Sequence, residues 1–306
     1  MALSAPHTRH LLPDDPSGQY QRSELWSVLI FHLLTPQQAT DIVALTEQHA
    51  ASCGWSTQRH KHYPTTDIAV RPETASSLHA VLSPIVNEII LPTIGQHYNF
   101  SSEEMRMRDL FVVKYECGAP GVQNRLAPHR DGNLLSFSIL LSDPSSFDGG
   151  GLRFHSLGPR CDVCCKSGPV IDASCARCQG VGRLAITGVG RGDLTMHCGK
   201  LLHEGAPVTR GTRYVVVGFV NIESPRVDSL FVNFSKLANY AASGRQADHE
   251  VVGRALVPLG NGSLSTAASL GLATAVDLSD PAGATTARCK TQAEREVDDL
   301  AGQGFF

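Results

Sequence analysis

Two histidines, an aspartate and an arginine have the types and spacing of a metal site with an anchor for an anion. His129 and Asp131 are two residues apart, so on a strand both side chains leave the same face and can bind one ion. His203 can add a third ligand, and two imidazoles with one carboxylate are typical of non-haem iron(II). Arg213, ten residues beyond His203, has a planar guanidinium that can pair with a carboxylate. This set predicts an iron site that binds a keto acid, and the spacing suggests 2-oxoglutarate.

A second histidine could take the place of His203 in this set. His197 precedes His203 by six residues and is an alternative third ligand. Only His203 is followed ten residues later by an arginine. The sequence therefore favours His203 over His197 as the ligand.

Strands must surround these residues if they are to meet. The apolar run 134–141 predicts one strand, the glycines 149–151 predict a turn into another, and 211–220 predicts a third. This order of strands, glycine turn, histidine and basic residue predicts a double-stranded β-helix, or jelly roll. The fold class is therefore mainly β with supporting helices (α+β).

Two helices and a further strand are predicted to support this core. Thr35 has the features of an N-cap, Pro36 takes the first helical position and Gln38 completes a capping box. The helix should run to about residue 52. Apolar spacing predicts a second helix over 74–98, kinked near its prolines. Tyr115 ends a predicted strand over 110–115, and its side chain reaches the barrel interior if the register holds. A core tyrosine bonded to backbone is the alternative.

Nine cysteines include two Cys-x-x-Cys pairs. Cys161 and Cys164 form the first pair, Cys175 and Cys178 the second, and ten residues separate them. This spacing predicts a tetrahedral zinc knuckle, with Cys165 an alternative to Cys164. Disulfides in a secreted chain, or a redox role, are the other interpretations. The knuckle should hold a long loop rigid; binding of substrate or partner is the alternative role.

These observations predict an order of regions along the chain. They are a flexible N-terminal tail (1–23), a strand with support helices packing on the barrel (24–100), a double-stranded β-helix catalytic core (101–226) that includes the zinc insertion (159–184), and a partly disordered C-terminal extension (227–306).

Composition and charge indicate the cellular compartment of the protein and the classes of partner that it binds. The 306 residues are 42% hydrophobic and carry a net charge of −3, which gives no electrostatic bias toward nucleic acid or anionic membrane. No signal peptide is visible, and no run approaches roughly 18 apolar residues. We therefore expect a cytoplasmic protein without a membrane or nucleic-acid partner; a nuclear location remains open.

Five segments together match a known family: 63–68, 111–115, 127–131, 149–154 and 203–213. They resemble the catalytic domain of procollagen lysyl hydroxylases and, more loosely, prolyl 4-hydroxylases. The wider family is the iron(II)- and 2-oxoglutarate-dependent dioxygenases. The resemblance extends roughly over residues 55–222.

The resemblance implies a role for each site residue. His129, Asp131 and His203 would be the iron ligands, Arg213 would bind the 2-oxoglutarate carboxylate, and Tyr115 would offer its hydroxyl to the same cosubstrate. Ascorbate is an accessory reductant that the resemblance suggests. The glycosyltransferase domains of animal lysyl hydroxylases are missing here, so a collagen substrate does not follow.

The predicted activity is hydroxylation of an unactivated C–H bond, with oxygen consumed and succinate and carbon dioxide released. A lysine or proline in a protein or peptide is the favoured substrate. A free amino acid or other small molecule is the alternative. An interpretation of a different class is a zinc-knuckle binding module on an oxygenase scaffold.

The loop before residue 68 is a further candidate for a part of the active site. Its basic residues 59–62 favour a solvated surface, whereas the resemblance around Tyr63 favours a position near the mouth of the active site. Asp67 then has two interpretations: contact with a cationic substrate, or a turn cap bonded to its own backbone.

Overall fold

A computed structural model describes residues 2–10, 27–60, 63–119, 121–155, 159–164, 172–187, 189–199 and 201–223. The predicted C-terminal extension (227–306) and Cys165 lie outside the described residues. The strands are β1 (Thr8–His10), β2 (Val28–His32), β3 (Asp67–Ala69), β4 (Met105–Glu116), β5 (Leu126–His129), β6 (Leu135–Leu140), β7 (Phe147–Gly149), β8 (Leu152–Phe154), β9 (Asp193–Cys198), β10 (His203–Gly205) and β11 (Val208–Ile222).

Two antiparallel sheets form the core. The major sheet has the order β1-β2-β9-β6-β11-β4-β3, with β7 also paired to β11, and the minor sheet has the order β5-β10-β8. Neighbours in the sheets are distant in sequence, as β6 between β9 and β11 illustrates. This mainly-β architecture fits the predicted jelly-roll core.

The first helix begins where its capping signals predict. Helix α1 (Pro36–Cys53) has Thr35 as N-cap, and the Thr35 and Gln38 side chains bond each other's backbone N–H groups. One face is buried through Ala39, Ile42 and Thr46. Because these buried residues recur at helical spacing, one side of α1 can pack on the core while the other side faces solvent.

The second predicted helix is continuous but changes its pitch. It runs through α2 (Ser76–Ile85), a π-helical segment (Val86–Ile90) and α3 (Leu91–Tyr98). Pro84 lies inside α2, where its missing N–H disturbs the hydrogen-bond ladder just before the π-helical segment.

By length and composition alone, the stretch Ser76–Tyr98 is long and apolar enough to cross a membrane, which the sequence analysis did not anticipate. Some of its apolar residues belong to the core of this fold, whereas others, such as Val81 at 39% exposure, are exposed. Those that are buried include Leu78, Leu82, Val86, Ile90 and Ile94.

Part of the predicted flexible tail is a strand. Residues Thr8–His10 pair with β2, opposite Val28 to Ile30. The polar sequence of this segment gives no strand signal, because β1 is an edge strand whose pairing comes from backbone groups. The N-terminal segment is therefore tied to the major sheet at this point.

Candidate functional site

The three predicted metal ligands converge at the end of the minor sheet. His129 ends β5 and His203 begins β10, directly opposite it in the antiparallel pair. The Nε2 atom of His129 is 3.3 Å from Oδ1 of Asp131, and the Nε2 atom of His203 is 3.7 Å from Oδ2. Ligand atoms of all three residues lie within 4.8 Å of one another, and all three residues are buried. One ion can therefore contact the three side chains together.

Backbone carbonyls orient both imidazoles toward that point. The Nδ1 atom of His129 is 2.8 Å from the carbonyl oxygen of Ala127, and Nδ1 of His203 is 2.7 Å from that of Leu201. A carbonyl only accepts hydrogen bonds, so each Nδ1 carries the proton and donates it. Because Nδ1 of each ring is bonded to backbone, Nε2 is the nitrogen that faces the cluster, as in metal-ligating histidines.

Asp131 does not lie on a strand with His129, although the sequence predicted that it would. Strand β5 ends at His129, so Asp131 lies in the following turn. Its backbone N–H donates to the carbonyl oxygen of Gly199 at 2.7 Å. The hydroxyl of Ser136 on β6 donates to its Oδ2 atom. These two bonds from neighbouring segments, rather than a shared strand face, aim the carboxylate at the histidines.

Burial and mutual charge set the protonation of this cluster. Burial alone would raise the pKa of Asp131, but the neighbouring imidazoles of His203 and His129 outweigh it and hold that pKa below its ordinary value. Burial lowers the pKa of His203 to about 3, against the opposing charge of Asp131. Burial also lowers the pKa of His129. The hydrogen bond to Asp131 and the charge of that carboxylate outweigh burial, so the pKa of His129 lies above its ordinary value. The carboxylate and the His203 ring therefore have the ionisation that a metal ion requires.

The alternative ligand His197 is buried beside the cluster. Its ring lies edge-on to the ring of His203, with centroids 4.8 Å apart, and edge-on to Phe154. Its Nδ1 atom is 3.2 Å from the carbonyl oxygen of Cys198. His197 is not part of the group of three converging ligand atoms. It packs behind His203 instead.

Arg213 lines a cavity of about 210 Å³ with Gly150, Ser138 and Thr195 among its walls. A Cβ atom at Gly150 would lie 2.8 Å from Cδ of Arg213, which is too close for a larger residue. The φ of this residue is +67°, a backbone conformation that also favours glycine. Burial lowers the pKa of Arg213, opposed by Tyr115, but a guanidinium stays charged. Among the described residues, no carboxylate acts on that pKa. The cavity can therefore hold an anion.

Two strands connect this cavity to the ligand cluster. On β6, Ser136 bonds Asp131 and Ser138 lines the cavity. On β9, His197 contacts the ring of His203 and Thr195 lines the cavity. Residues two apart on a strand share a face. The cavity and the cluster thus lie along the same inner face of the major sheet.

Tyr115 lies on that inner face, as the strand register predicted. It is opposite Arg213 in the pairing of β4 with β11, and the guanidinium carbon is 5.8 Å from its ring centroid. Burial raises the pKa of Tyr115 to about 12, and the charges of both Arg213 and Asp131 act on it. The phenol therefore stays protonated and lies within electrostatic range of both groups.

The loop before β3 lies beside the ligand cluster, in line with the position that the resemblance around Tyr63 favours, and it also makes buried contacts that the sequence did not indicate. The ring of Tyr63 lies 5.0 Å from that of His129, so this part of the loop borders the cluster. Asp67 is fully buried and accepts hydrogen bonds from Arg59 and Thr65. Arg59 also donates to Asp109 at 2.6 Å. Asp67 therefore anchors the loop through ion pairing inside the fold, and neither of its two predicted roles describes it.

The four predicted zinc ligands also converge. The Sγ atoms of Cys161 and Cys175 are 3.8 Å apart, and those of Cys164 and Cys178 are 3.5 Å apart. Both separations exceed the roughly 2.05 Å of a disulfide. Thiolates about 2.3 Å from a tetrahedral zinc ion lie about 3.8 Å from one another. The backbone N–H of Gly182 donates to Sγ of Cys178 at 3.2 Å.

A buried arginine joins the cysteine cluster to the strand of His203. Arg153 on β8 donates to the carbonyl oxygen of Cys178 at 3.3 Å and to Oε1 of Gln179 at 3.1 Å. The same guanidinium nitrogen is 2.7 Å from Oε1 of Glu204. Glu204 directly follows His203 in the chain. Sequence reasoning missed this link because nothing local marks Arg153 as buried.

No protein-family model matches the chain. In sequence, it is 29% identical over 208 residues to the multifunctional procollagen lysine hydroxylase and glycosyltransferase LH3 of Rattus norvegicus, a match that covers 62% of this chain and 23% of that protein. Rat procollagen-lysine,2-oxoglutarate 5-dioxygenase 1 is 32% identical over 166 residues, covering 53% of this chain and 18% of the relative. The chain is thus related in sequence to procollagen lysine hydroxylases, which confirms the predicted resemblance. It spans less than a quarter of the length of these relatives.

Among solved structures, a Pseudomonas putida prolyl-4-hydroxylase aligns with 64% of this chain and 93% of its own, at a TM-score of 0.42 and 14% identity. The epimerase SnoN, in complex with Fe³⁺, α-ketoglutarate and a nogalamycin derivative, aligns with 68% of this chain and 85% of its own, at a TM-score of 0.45 and 15% identity.

Proposed function

We propose that the chain is an iron(II)- and 2-oxoglutarate-dependent dioxygenase that hydroxylates an unactivated C–H bond of a lysine or proline in a protein or peptide. One observation carries this proposal. Two imidazoles and a carboxylate converge on one point, and the partly buried guanidinium of Arg213 lines a cavity on the same inner face. The sequence relationship to lysine hydroxylases supports the same activity.

The donor set suits iron(II). Nε2 of His129, Nε2 of His203 and one oxygen of Asp131 would hold it, and three protein ligands leave further positions for cosubstrate and oxygen. Bound iron(II) and 2-oxoglutarate would supply oxidative decarboxylation to succinate and carbon dioxide, coupled to hydroxylation of the substrate. The carboxylate of Asp131 occupies a position that would otherwise be open to a halide, so hydroxylation is the expected outcome.

The cavity suits the cosubstrate. Arg213 would pair with the carboxylate of 2-oxoglutarate that lies farther from the metal, because a guanidinium and a carboxylate form two parallel hydrogen bonds. The protonated phenol of Tyr115 would donate a hydrogen bond to the same molecule. Gly150 leaves room beside Arg213 that a larger residue would fill.

The substrate follows from the relatives rather than from the cavity. The sequence relatives are named as lysine hydroxylases, so we place lysine in a peptide first and proline second. The test is incubation of the purified full chain with iron(II), 2-oxoglutarate and ascorbate, against peptides containing lysine or proline and against the free amino acids.

Succinate release coupled to a gain of one oxygen atom by a peptide is expected, with His203→Ala as the inactive control. Turnover of a free amino acid but of no peptide would favour the small-molecule alternative. If neither peptides nor free amino acids stimulate succinate release, the assigned substrate class is wrong.

We further propose that Cys161, Cys164, Cys175 and Cys178 bind a structural zinc ion. Their sulfur separations of 3.5 and 3.8 Å support tetrahedral coordination. Such an ion would stabilise an insertion that has few apolar residues of its own. Elemental analysis should find zinc in the wild type and one equivalent less in Cys178→Ser; equal zinc contents would contradict the assignment.

A further inference from the structure

A second group of two histidines and one aspartate lies in the major sheet, on other strands than the candidate iron ligands. His7 precedes β1 and is tied to β2 by a hydrogen bond from its N–H to the carbonyl oxygen of Ile30 at 2.9 Å. His32 ends β2, and Asp193 begins β9 directly opposite it. Three segments that are far apart in sequence therefore present these side chains at one place.

The distances in this group are those of ligands around one ion. The Nε2 atom of His7 is 3.2 Å from Oδ2 of Asp193, and Nδ1 of His32 is 2.8 Å from Oδ1. Ligand atoms of the three residues lie within 4.8 Å of one another. Nitrogen and oxygen ligands about 2.1 Å from a shared ion, at angles near 90–110°, lie about 3.0–3.4 Å apart. The separations require only small adjustments to accept a metal.

Neighbouring bonds orient two of the three ligands. Asp193 is buried, and its Oδ2 atom accepts the backbone N–H of Gly190 at 2.6 Å. The Nδ1 atom of His7 is 2.9 Å from the hydroxyl of Thr8. A hydrogen bond at the far ring nitrogen is the usual support of a metal-ligating histidine, because it fixes the ring and the lone pair of the other nitrogen.

The arrangement of the two rings and the carboxylate leaves room for one metal ion and for water. The rings of His7 and His32 stack with centroids 4.1 Å apart and an interplanar angle of 17°. In this arrangement one dication would lie beside the carboxylate of Asp193 and use a lone pair from each ring. The side chain of His32 is 79% exposed, so water can complete the coordination shell.

We propose that His7, His32 and Asp193 bind a divalent transition-metal ion of the zinc type. Two imidazoles and one carboxylate suit zinc. The ion would connect the N-terminal segment before β1 to the ends of β2 and β9. Its role is to stabilise the docking of this segment on the edge of the major sheet, apart from the proposed chemistry at His129, Asp131 and His203.

The test compares zinc binding by three forms of the full chain. Each is loaded anaerobically with iron(II) and 2-oxoglutarate, dialysed against a fixed concentration of free zinc and analysed for metal content. His32→Ala should hold one equivalent of zinc less than the wild type, and this exposed position should tolerate the change. His79→Ala alters a partly exposed histidine outside the three described ligand groups and should match the wild type.

A second readout separates a metal site from a hydrogen-bonded contact. Added zinc should slow amide hydrogen exchange in Thr8 and Arg9 of the wild type and have no such effect in His32→Ala. Equal zinc contents in the wild type and His32→Ala, or exchange in β1 that zinc does not alter, would overturn the proposal and leave Asp193 as a hydrogen-bonding partner of the two histidines.

Discussion

Arg153 and Glu204 form an ion pair of 2.7 Å in which both side chains are nearly buried, with exposed fractions of 7% and 13%. The pair lies where β8 and β10 oppose each other. Arg153 also bonds the backbone of Cys178, and Glu204 is the neighbour of His203. The cysteine cluster and the candidate iron ligand are thus joined through two side chains.

Removing Arg153 should disturb both clusters. Arg153→Ala leaves Glu204 without its partner in a nearly buried position, which costs about 3 kcal/mol of unfolding free energy and loosens β10 at His203. We expect lower thermal stability together with weaker iron(II) binding, measured by anaerobic titration. Arg177→Ala removes an exposed pair with Asp162 in the same insertion and should change stability by less than about 1 kcal/mol. Unchanged iron(II) affinity in Arg153→Ala would show that the two clusters are independent.

Ser136 should tune the iron affinity without being a ligand. Its hydroxyl donates to Oδ2 of Asp131, and loss of such a supporting bond typically weakens metal binding about 10- to 100-fold. Ser136→Ala should therefore show a weaker iron(II) affinity by roughly that factor in an anaerobic titration. Ser145→Ala, at an exposed position of the Asp143 turn, is the matched control and should bind iron(II) normally. A wild-type affinity in Ser136→Ala would remove the supporting role.

Arg213 should determine the requirement for 2-oxoglutarate. Arg213→Ala removes charge-assisted hydrogen bonds worth about 1.5–3 kcal/mol. The KM for 2-oxoglutarate, measured by succinate release, should therefore rise roughly 10- to 100-fold. Arg210 lies on the same strand but forms an exposed pair with Asp148, so Arg210→Ala should leave that KM unchanged. Equal KM values in the two variants would reassign the anion site.

Loss of the cysteine cluster should destabilise the protein. Cys178 is fully buried among the other three cysteines, and its replacement by serine should lower both the zinc content and the melting temperature. Cys117 is exposed and outside the cluster, so Cys117→Ser should behave as the wild type. A melting temperature in Cys178→Ser that matches the wild type would exclude a structural role for the cluster.

The sequence predicted those features that depend on local pattern. The capping box at Thr35 and the apolar runs within 134–141 and 211–220 are local signals, and the structure has these elements where they were expected. The convergence of His129, Asp131 and His203 was predicted from their types, from the arginine ten residues beyond His203 and from the resemblance to lysyl hydroxylases. Asp131 is nevertheless positioned by Gly199 and Ser136 rather than by a strand.

Features that depend on long-range contact were not predictable. His7 and Asp193 are 186 residues apart, and Arg59 and Asp109 are 50 apart. No periodicity or motif connects such residues, because the sheet order that brings them together is set by packing of the whole core. Strand β1 and the pairing of Asp67 were missed for the same reason.

The central claim is that His129, Asp131 and His203 hold iron(II) with 2-oxoglutarate bound to it. The most direct measurement is the visible charge-transfer absorption that a chelated keto acid gives with iron(II) when both are added anaerobically to the full chain. The wild type should develop this band, and Asp131→Ala and His203→Ala should not. A band of wild-type intensity in either variant would contradict the claim.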